Sequence, residues 1–399
     1  MKTILCFFSC LLPFMISANN HPGVVDGNNK FAFKLFQQVQ GGTTGTNQFY
    51  SPFSISTALA MVYAGARNET ALQMSQTLNF DLSDKFHSKY KHLLDRMKAG
   101  TEGKIKLNIA NGLWAQKNFQ FLDSYFGIVK SNYHSELKNV DFTDDIKRET
   151  TRKEINSWVE RNTNNKIKNI LSQDDLTALT RLVLVNAIYF FGDWASPFKN
   201  SSTIHDKFSL IDGTHTTVPF MNQHGRYNYY EDSKIKALEI PYTDNKASMV
   251  IFLPNTTDGI AALAKTFEFN YYQNILESLQ NTDVRLSLPK FKIDFKLELG
   301  TTLSQMGMSL AFSPDSADFS GMTGKPNLFI SKVIHKAFIN VDEKGTEAAA
   351  ATAVVMTMTM SPRQPEAKIF DADHPFLFLI KDNTTGSILF MGKIMKPGE

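Results

Sequence analysis

The chain has 399 residues, of which 42% are hydrophobic and 20% are charged, a balance that is ordinary for a globular protein with a large core. Its length fits one large domain or two to three smaller ones, so length alone does not decide the number of domains. The formal net charge of +3 is too small to favour nucleic acid or a membrane surface as the main partner.

The first 18 residues have the features of a secretory signal peptide. Lys2 supplies the positive start, ILCFFSCLLPFMI (4–16) supplies the apolar core, and Ser17 and Ala18 are the small residues at which cleavage is expected. This core is too short to cross a bilayer. The alternatives are a buried N-terminal segment and a bacterial lipid anchor on Cys10, to which FFSC is a poor match. We therefore predict a secreted, extracellular protein.

Both cysteines, Cys6 and Cys10, lie inside this predicted signal. The mature protein would then have no disulfide, no thiolate metal site and no cysteine nucleophile. The sequence also contains four Asn-x-Ser/Thr acceptors for N-linked glycans, which are compatible with secretion, although such triplets also occur by chance. These acceptors are Asn68, Asn200, Asn255 and Asn383.

Helical periodicity dominates the early part of the mature chain. Phe31, Leu35 and Val39 recur at helical spacing, and the apolar segment 54–66 predicts a buried helix that ends near a glycine. Segment 83–98 predicts an amphipathic helix with one apolar stripe and a row of basic residues beside it. The stripe consists of Phe86, Tyr90, Leu93, Leu94 and Met97, and the basic row consists of Lys85, Lys89, His92 and Arg96.

Strand patterns dominate from residue 104 onward. Segment 104–114 alternates, and its aliphatic residues Ile105, Leu107, Ile109 and Leu113 share one face. Two later segments, 182–191 and 248–254, are almost entirely apolar, as is typical of strands covered on both faces. Two apolar runs joined by Asp-Asn-Thr-Thr-Gly predict a hairpin over 375–394. These patterns together predict an α+β protein with large, largely antiparallel sheets.

The segment GTEAAAATAVVMTMTMSPR (345–363) carries no charge between Glu347 and Arg363. Its alanines favour a helix by local propensity. Counting by two favours a strand instead, because the even positions become steadily larger and more apolar while the odd positions stay small or polar. A strand over 346–359 would be roughly 45 Å long. Such a long uncharged strand is an aggregation hazard at a sheet edge, which indicates a segment suited to enter a sheet.

Seven blocks of the sequence, in this order, resemble those of the serpins, the family of suicide protease inhibitors. The resemblance covers essentially the whole mature chain, so residues 19–399 are identified as one serpin domain. The blocks are FYSPFSISTALAMVYAGA (49–66), LVLVNAIYFFGDW (182–194), LSLPKF (286–291), ADFSGM (317–322), VIHKAFINVDEKGTEAAAA (333–351), DHPFLF (373–378) and FMGKI (390–394).

This resemblance implies a serpin fold with three sheets, eight or nine helices and an exposed reactive loop at about 343–366. It implies that a target protease attacks the loop as a substrate and becomes covalently attached through its serine. The cut loop then inserts into the central sheet as a new strand and distorts the tethered protease before it deacylates. It also implies a monomer with no nucleic-acid or membrane partner, although family members polymerise by inserting one loop into another chain's sheet.

The hinge of the loop has the composition of an inhibitory serpin. Gly345 has no side chain to hinder bending, and none of the residues that would be buried first is bulky, charged or proline. A plain surface loop or helix is the alternative. The predicted hinge residues are Glu343, Gly345, Thr346, Glu347, Ala348, Ala349, Ala350, Ala351 and Thr352.

The predicted scissile bond depends on the end from which the loop is counted. Counted from the hinge, it joins Thr359 to Met360; counted back from the block at 373–378, it falls near Arg363. The hinge count is preferred, because cleavage at Arg363 would add about four residues, roughly 13 Å of slack, and favour release over trapping. Thr359, with Met358 as the adjacent alternative, suits elastase-like or chymotrypsin-like proteases, whereas Arg363 suits trypsin-like ones.

A second set of residues is assigned by resemblance to the shutter and the breach, where the central strands part. Asn186 lies inside an otherwise apolar run, so its amide must find buried partners. A core hydrogen-bond cluster with no moving role is the alternative. The predicted shutter and breach residues are Ser51, Ser54, Asn186, Trp194 and His335.

The basic row Lys85, Lys89, His92 and Arg96 falls where some serpins bind sulfated polysaccharide, although a solvated helix face is the more common explanation. No other cofactor and no metal is predicted. The chain has no phosphate-cradling glycine loop, no HExxH and no GxSxG, which argues against an enzyme. The competing functions are a noninhibitory serpin that acts as carrier or chaperone, and an inhibitor of papain-like cysteine proteases.

Overall fold

The structure is a computed structural model that describes residues 22–40, 45–100, 105–133, 135–346 and 366–398. The predicted signal peptide, the hinge residues from Glu347 to Thr352, and Met358, Thr359, Met360 and Arg363 lie outside these ranges. Within them the chain forms ten α-helical segments and fifteen strands.

The helices are α1 (Pro22–Gln40), α2 (Pro52–Tyr63), α3 (Asn68–Leu78), α4 (Phe86–Gly100), α5 (Asp123–Tyr133), α6 (Asp145–Asn162), α7 (Ile260–Thr266), α8 (Phe269–Ser278), α9 (Gly300–Leu303) and α10 (Ser320–Thr323). The strands are β1 (Gln48–Tyr50), β2 (Ile105–Gln116), β3 (Glu136–Val140), β4 (Leu182–Asp193), β5 (Ile204–Ser209), β6 (His215–Glu231), β7 (Ile235–Pro241), β8 (Ala247–Pro254), β9 (Gln280–Pro289), β10 (Phe291–Glu298), β11 (Lys332–Val341), β12 (Gly345–Thr346), β13 (Lys368–Asp371), β14 (Phe376–Asp382) and β15 (Ile388–Ile394).

Helix α2 confirms the buried helix predicted from its composition. Ser51 caps it, with its hydroxyl oxygen accepting the backbone N–H of Ser54 at 3.0 Å, and Pro52 occupies the first turn, where no backbone N–H donor is needed. All residues of the helix up to Val62 are buried, so α2 lies inside the core. Because α2 lies inside the core, its N-terminal end, capped by Ser51, contacts the smaller of the two sheets.

The larger sheet has nine strands in the order β1-β15-β14-β8-β7-β6-β9-β13, with β5 paired to β6. The long strand β6 pairs with β5 near its start and with β7 near its end, so two parts of this sheet meet along β6. These two parts and the smaller sheet correspond to the three sheets that the resemblance implied. The predicted hairpin at the C-terminal end is confirmed by the antiparallel pair β14–β15.

The smaller sheet has six strands in the order β10-β11-β12-β4-β2-β3. Strand β4 is covered on both faces, as predicted: Leu184 and Ile188 belong to the main core, whereas Val183 and Val185 belong to a second core beneath α6. The alternation predicted for β2 is also confirmed, since its odd-numbered aliphatic residues pack against the main core.

The central feature of this sheet is a seam between β4 and β11. These two strands run parallel and pair directly, residues 183–189 of β4 with residues 332–338 of β11. At one end the two-residue strand β12 lies between them and pairs with both. This parallel pair, with β12 between its strands at one end, is the place at which the resemblance implies that a new strand enters.

Candidate functional site at the β4–β11 seam

The hinge end of the seam is occupied by β12. Thr346 pairs with Gly192 on β4 and with Val341 on β11, and its side chain is 0% exposed. Its hydroxyl shares a 2.8 Å hydrogen bond with the hydroxyl of Tyr242. A Cβ atom on Gly345 would lie 2.1 Å from the carbonyl oxygen of Gly192, so only glycine fits at this close approach.

Trp194 lies directly beneath the turn that leads into β12. Its backbone N–H donates to the carbonyl of Lys344 at 2.8 Å, and its indole Nε1–H donates to the carbonyl of Asp342 at 3.0 Å. The indole ring stacks on Tyr242, with the ring centroids 4.6 Å apart. One buried aromatic pair therefore holds both the turn and Thr346, the last residue of β12.

Glu343 lies in the same turn and joins it to two other parts of the chain, at Lys290 and Thr203. Its carboxylate accepts hydrogen bonds from the ammonium of Lys290 and the hydroxyl of Thr203, each at 2.8 Å. Partial burial alone would raise the pKa of Glu343, but the hydrogen bonds from Lys290 and Thr203 outweigh it and lower the pKa. Glu343 is therefore an ionised clamp on the hinge.

The middle of the seam contains the predicted shutter residues, which the structure brings into one cluster. His335 on β11 faces Asn186 on β4, and its Nδ1–H donates to the side-chain oxygen of Asn186. On its other side, Nε2 of His335 accepts the backbone N–H of Ser51 at 3.1 Å. This pattern requires a neutral imidazole with the proton on Nδ1. Burial lowers the pKa of His335 to about 3.

Asn186 connects this cluster to its neighbours on the same side of the seam. Its Nδ2 group donates to the hydroxyl of Ser54 and to the side-chain oxygen of Asn111 on β2. Asn111 was not predicted as a member of this cluster, although a signal was present: position 111 falls in the otherwise aliphatic odd-numbered row of β2. A polar residue inside an apolar row must find a buried partner, as Asn186 does.

Comparison with known proteins decides the family. The family described as Serpin (serine protease inhibitor) matches residues 26–397. The chain belongs to the serpin family. Leukocyte elastase inhibitor of Xenopus laevis is 43% identical to it over 373 residues, which cover 92% of this chain and 97% of that protein.

Solved serpin structures share the fold. Serpin48 of the insect Tenebrio molitor superposes with a TM-score of 0.84 at 32% identity, covering 94% of this chain and 98% of that one. Human thyroxine-binding globulin, solved as a complex with its hormone, superposes with a TM-score of 0.85 at 33% identity, covering 94% of this chain and 99% of that one. The fold is therefore shared by proteins with different named activities.

In the basic row of this serpin, Lys89, His92 and Arg96 lie on α4 and Lys85 directly precedes it. All three residues on the helix interact with other groups of the protein. Lys89 forms a 2.8 Å ion pair with Asp81, and the hydrogen bond from Lys89 is the main cause that lowers the pKa of Asp81 to about 2. Arg96 donates to the carbonyl of Thr384 at 3.0 Å. Lys85, His92 and Arg96 are exposed. Polysaccharide binding by this row stays a prediction.

The four glycan acceptors of this serpin lie in different surroundings. Asn200 is exposed on a short 3₁₀ turn. Asn68 is exposed, and its Nδ2 group donates to the carboxylate of Asp318 at 2.7 Å. Asn255 is also exposed, and its Nδ2 group donates to the carbonyl of Asp232 at 2.9 Å. Asn383 is half-buried and donates to Ser248 at 2.8 Å. Glycosylation of each site stays a prediction.

The described ranges contain neither a candidate metal site nor a candidate membrane span. No three histidine, cysteine, aspartate or glutamate side chains there are grouped so that they could hold a metal ion. Over the same residues, none of the helices combines the length and the apolar composition needed to span a bilayer.

Proposed function

We propose that this serpin is a suicide-substrate inhibitor of secreted serine proteases rather than an enzyme. The observation that carries the proposal is the state of the seam. Two residues of the hinge occupy its end, while β4 and β11 pair directly over the remaining length. This pairing supports entry of the loop at the hinge end, where segment 346–359 would replace the direct pairing of β4 with β11 by its own pairing with each strand.

In the proposed reaction, the serine hydroxyl of the protease attacks the carbonyl carbon of Thr359. The bond to the nitrogen of Met360 breaks, that nitrogen takes a proton from the protease, and an acyl-enzyme ester forms. Because the loop is then no longer attached to the chain after Thr359, segment 346–359 can enter between β4 and β11. Each inserted residue then pairs with both strands, and the even-numbered side chains follow Thr346 into the main core.

The proposed targets are elastase-like or chymotrypsin-like enzymes, which prefer small or medium apolar residues such as Thr359. The name of the Xenopus laevis relative, leukocyte elastase inhibitor, supports this choice. Cleavage at Arg363 by trypsin-like enzymes and trapping of papain-like cysteine proteases are the alternatives. A noninhibitory carrier is the second candidate, since thyroxine-binding globulin shares the fold. We further propose secretion, from the first 18 residues, and a sulfated polysaccharide as an activator that binds α4.

The deciding experiment mixes the purified mature protein with pancreatic elastase, chymotrypsin, trypsin and papain. Denaturing gels and mass spectrometry of the released peptide then identify the products. We expect a complex that survives SDS and a C-terminal fragment that begins at Met360. Adding heparin to the same mixtures tests the activator, which would raise the rate of complex formation in a salt-dependent manner.

Two results would contradict the inhibitory function. One is clean cleavage of the loop by every protease without any SDS-stable complex. The other is a cut protein whose thermal stability does not rise, because insertion adds strand pairing and apolar burial that should stabilise the fold. Either result would favour the noninhibitory reading.

A further inference from the structure

One row of side chains crosses the seam near its hinge end, on the face of the smaller sheet that α6 partly covers. Lys106 on β2 pairs with Phe191 on β4, and Asn340 on β11 pairs with Lys292 on β10. Extending the parallel register of β4 and β11 by two residues brings Phe191 level with Asn340. We call these four residues the cross-seam row. A lysine therefore lies at each end of the row, one on either side of the seam.

Both lysines of the row extend toward the seam. The Nζ atom of Lys106 lies 5.9 Å from the centroid of the Phe191 ring, and Nζ of Lys292 lies 5.4 Å from the centroid of the Phe338 ring on β11. Each ammonium thus reaches from its own strand over the neighbouring seam strand, at a distance typical of a cation–π contact. Two positive charges approach the seam from opposite sides.

The positive charge of the row is not balanced by the described residues. Both lysines are exposed, and neither ammonium lies within ion-pair distance of a carboxylate in the described ranges. Other lysines on the same face are paired, Lys336 with Asp294 at 3.0 Å and Lys296 with Asp175 at 2.6 Å. The row therefore offers a place for one negative charge between its two lysines.

The register of β12 indicates which residue would fill that place. Thr346 pairs antiparallel with both β4 and β11, and its side chain faces Tyr242 in the main core. Extending both registers by one residue would put Glu347 between Phe191 and Asn340. Side chains alternate along a strand, so its carboxylate would face the side on which the two lysines lie. Each lysine would be two strand spacings away, roughly 10 Å between Cα atoms, a gap that long flexible side chains can bridge.

We propose that the cross-seam row is the docking site of the segment that follows Thr346. In this arrangement Lys106 and Lys292 are positioning residues that receive the carboxylate of Glu347 between them. Charge complementarity favours this occupant, because Glu347 carries the one charge of segment 346–359. The docking rests on the proposed function, since the segment reaches the row only by entering the sheet.

The two ion pairs would act at the start of insertion. Glu347 is the first residue beyond β12 that has to enter, and the pairs form only when β4 and β11 have admitted it. An exposed ion pair changes an equilibrium by at most about fivefold. Insertion competes with release of the protease, so even this preference for the first inserted residue would raise the fraction of protease that is trapped.

Zero-length cross-linking tests the contact directly. A carbodiimide couples a carboxylate to an amine as an amide and adds no spacer, so it joins only groups that touch. The full mature protein is treated before and after its loop is cut by elastase or trypsin, and peptide mass spectrometry locates the links. We expect Glu347 to be linked to Lys106 or Lys292 in the cut protein and to neither in the uncut protein.

Variants with matched controls test the effect on trapping, measured as the ratio of SDS-stable complex to free cleaved serpin. The double variant Lys106→Met with Lys292→Met should lower this ratio about three- to fivefold at low salt and less at high salt. Lys207→Met, at an exposed position on β5 in the larger sheet, should leave it unchanged. Glu347→Gln should lower it by itself but not in the double variant, whereas Glu366→Gln, exposed at the other end of the loop, should have no effect.

The other results separate the docking from the proposed function. A cut protein that gains thermal stability without any link from Glu347 to the two lysines would refute the docking and leave the inhibitory function standing. A link already present in the uncut protein would refute formation of the pairs on insertion. Additive effects of Glu347→Gln and the lysine changes would refute the ion pairs. A cut protein that gains no thermal stability and forms no link would refute insertion itself, and the proposed function with it.

Discussion

The two halves of the seam between β4 and β11 are held by different kinds of contact. At the hinge end, an ion pair joins Lys290 and Glu343, whose side chains are 35% and 11% exposed. In the middle, Asn186 and His335 are 1% and 0% exposed and belong to an uncharged hydrogen-bond network. Water can replace this ion pair when it breaks, although Thr346 nearby is fully buried, but water cannot replace the network in the middle. We therefore expect loss of the ion pair to cost less free energy than loss of the network.

The largest expected effect comes from Thr346→Arg, which removes the inserted strand at the hinge end. Thr346 is fully buried, and a guanidinium cannot be buried there without a partner. The rate of formation of the SDS-stable complex should fall at least tenfold while cleavage of the loop continues. Denaturing gels of samples quenched at successive times, with the protease that forms the most complex, measure the rate of complex formation and the rate of loop cleavage.

Ile369→Arg is the matched control for this change. It introduces the same side chain at a 53% exposed position on β13, on the other side of the loop. We expect complex formation to stay within twofold of the unmodified protein. If both variants form the complex equally well, entry of the hinge at the seam is not required for trapping.

Asn186→Ala should have the next largest effect, because it removes the group that joins both sides of the middle. His335, Ser54 and Asn111 would each lose a buried hydrogen bond. The free energy of unfolding should fall by about 3 kcal/mol in chemical denaturation. Asn162→Ala, at an exposed amide that donates to the carbonyl of Trp158, should cost less than about 1 kcal/mol. Equal losses would show that water enters the middle of the seam.

Acid should weaken the middle of the seam before the hinge end. The pKa of His335 is lowered from 6.5 to about 3 by burial, so the folded protein keeps this imidazole neutral while the unfolded chain binds a proton below pH 6.5. Its stabilising contribution is complete above pH 6.5 and is lost as the pH falls toward 3, by at most about 1.4 kcal/mol per pH unit.

Denaturation midpoints between pH 7 and pH 4.5 would measure this loss. His335→Gln should flatten the decline in part, because His87 has a pKa lowered to about 4 by burial and contributes in the same direction. Glu343 behaves differently, since its lowered pKa keeps its contribution until the pH falls through that lowered value. An unchanged pH profile in His335→Gln would mean that protonation of His335 does not open the seam.

Glu343→Gln should have the smallest effect. It removes one charge from a pair whose lysine is about a third exposed, so we expect a loss of about 0.5–1 kcal/mol, reduced further in high salt. Thermal unfolding at low and high ionic strength measures it, with Glu154→Gln on α6 as the exposed control. A loss as large as that of Asn186→Ala would mean that the contact at the hinge end stabilises the protein as strongly as the network in the middle of the seam.

The sequence predicted those parts of the fold that depend on local patterns. The apolar run of β4 and the hairpin of β14 and β15 were predicted because strand burial and turn chemistry are local properties. The period-two pattern predicted a strand over 346–359, of which only Thr346 lies in the described residues, at the end of β12. Burial of Asn186 followed from one polar residue inside an apolar run.

The contacts that close the seam were harder to predict from the sequence. Glu343, Lys290 and Thr203 lie far apart in the chain, and none has a local pattern that assigns it a partner. The hydrogen bond from Asn186 to Asn111 depends on the pairing of β2 with β4, which places the two residues opposite each other. Residue types in a sequence indicate that buried polar groups need partners, but only the assembled sheet determines which partners they find.

The seam also has a consequence for the order in which the chain folds. Asn186 and His335 are 149 residues apart, whereas β14 and β15 are joined by a short turn. Contacts between distant residues form slowly, so we expect the hairpin early and the seam late. Until the seam closes, we expect a strand from a neighbouring chain to be able to enter the gap, and the period-two sequence pattern of segment 346–359 predicts such a strand. The concentration of newly made chains, more than their final stability, would then decide between monomers and linked assemblies.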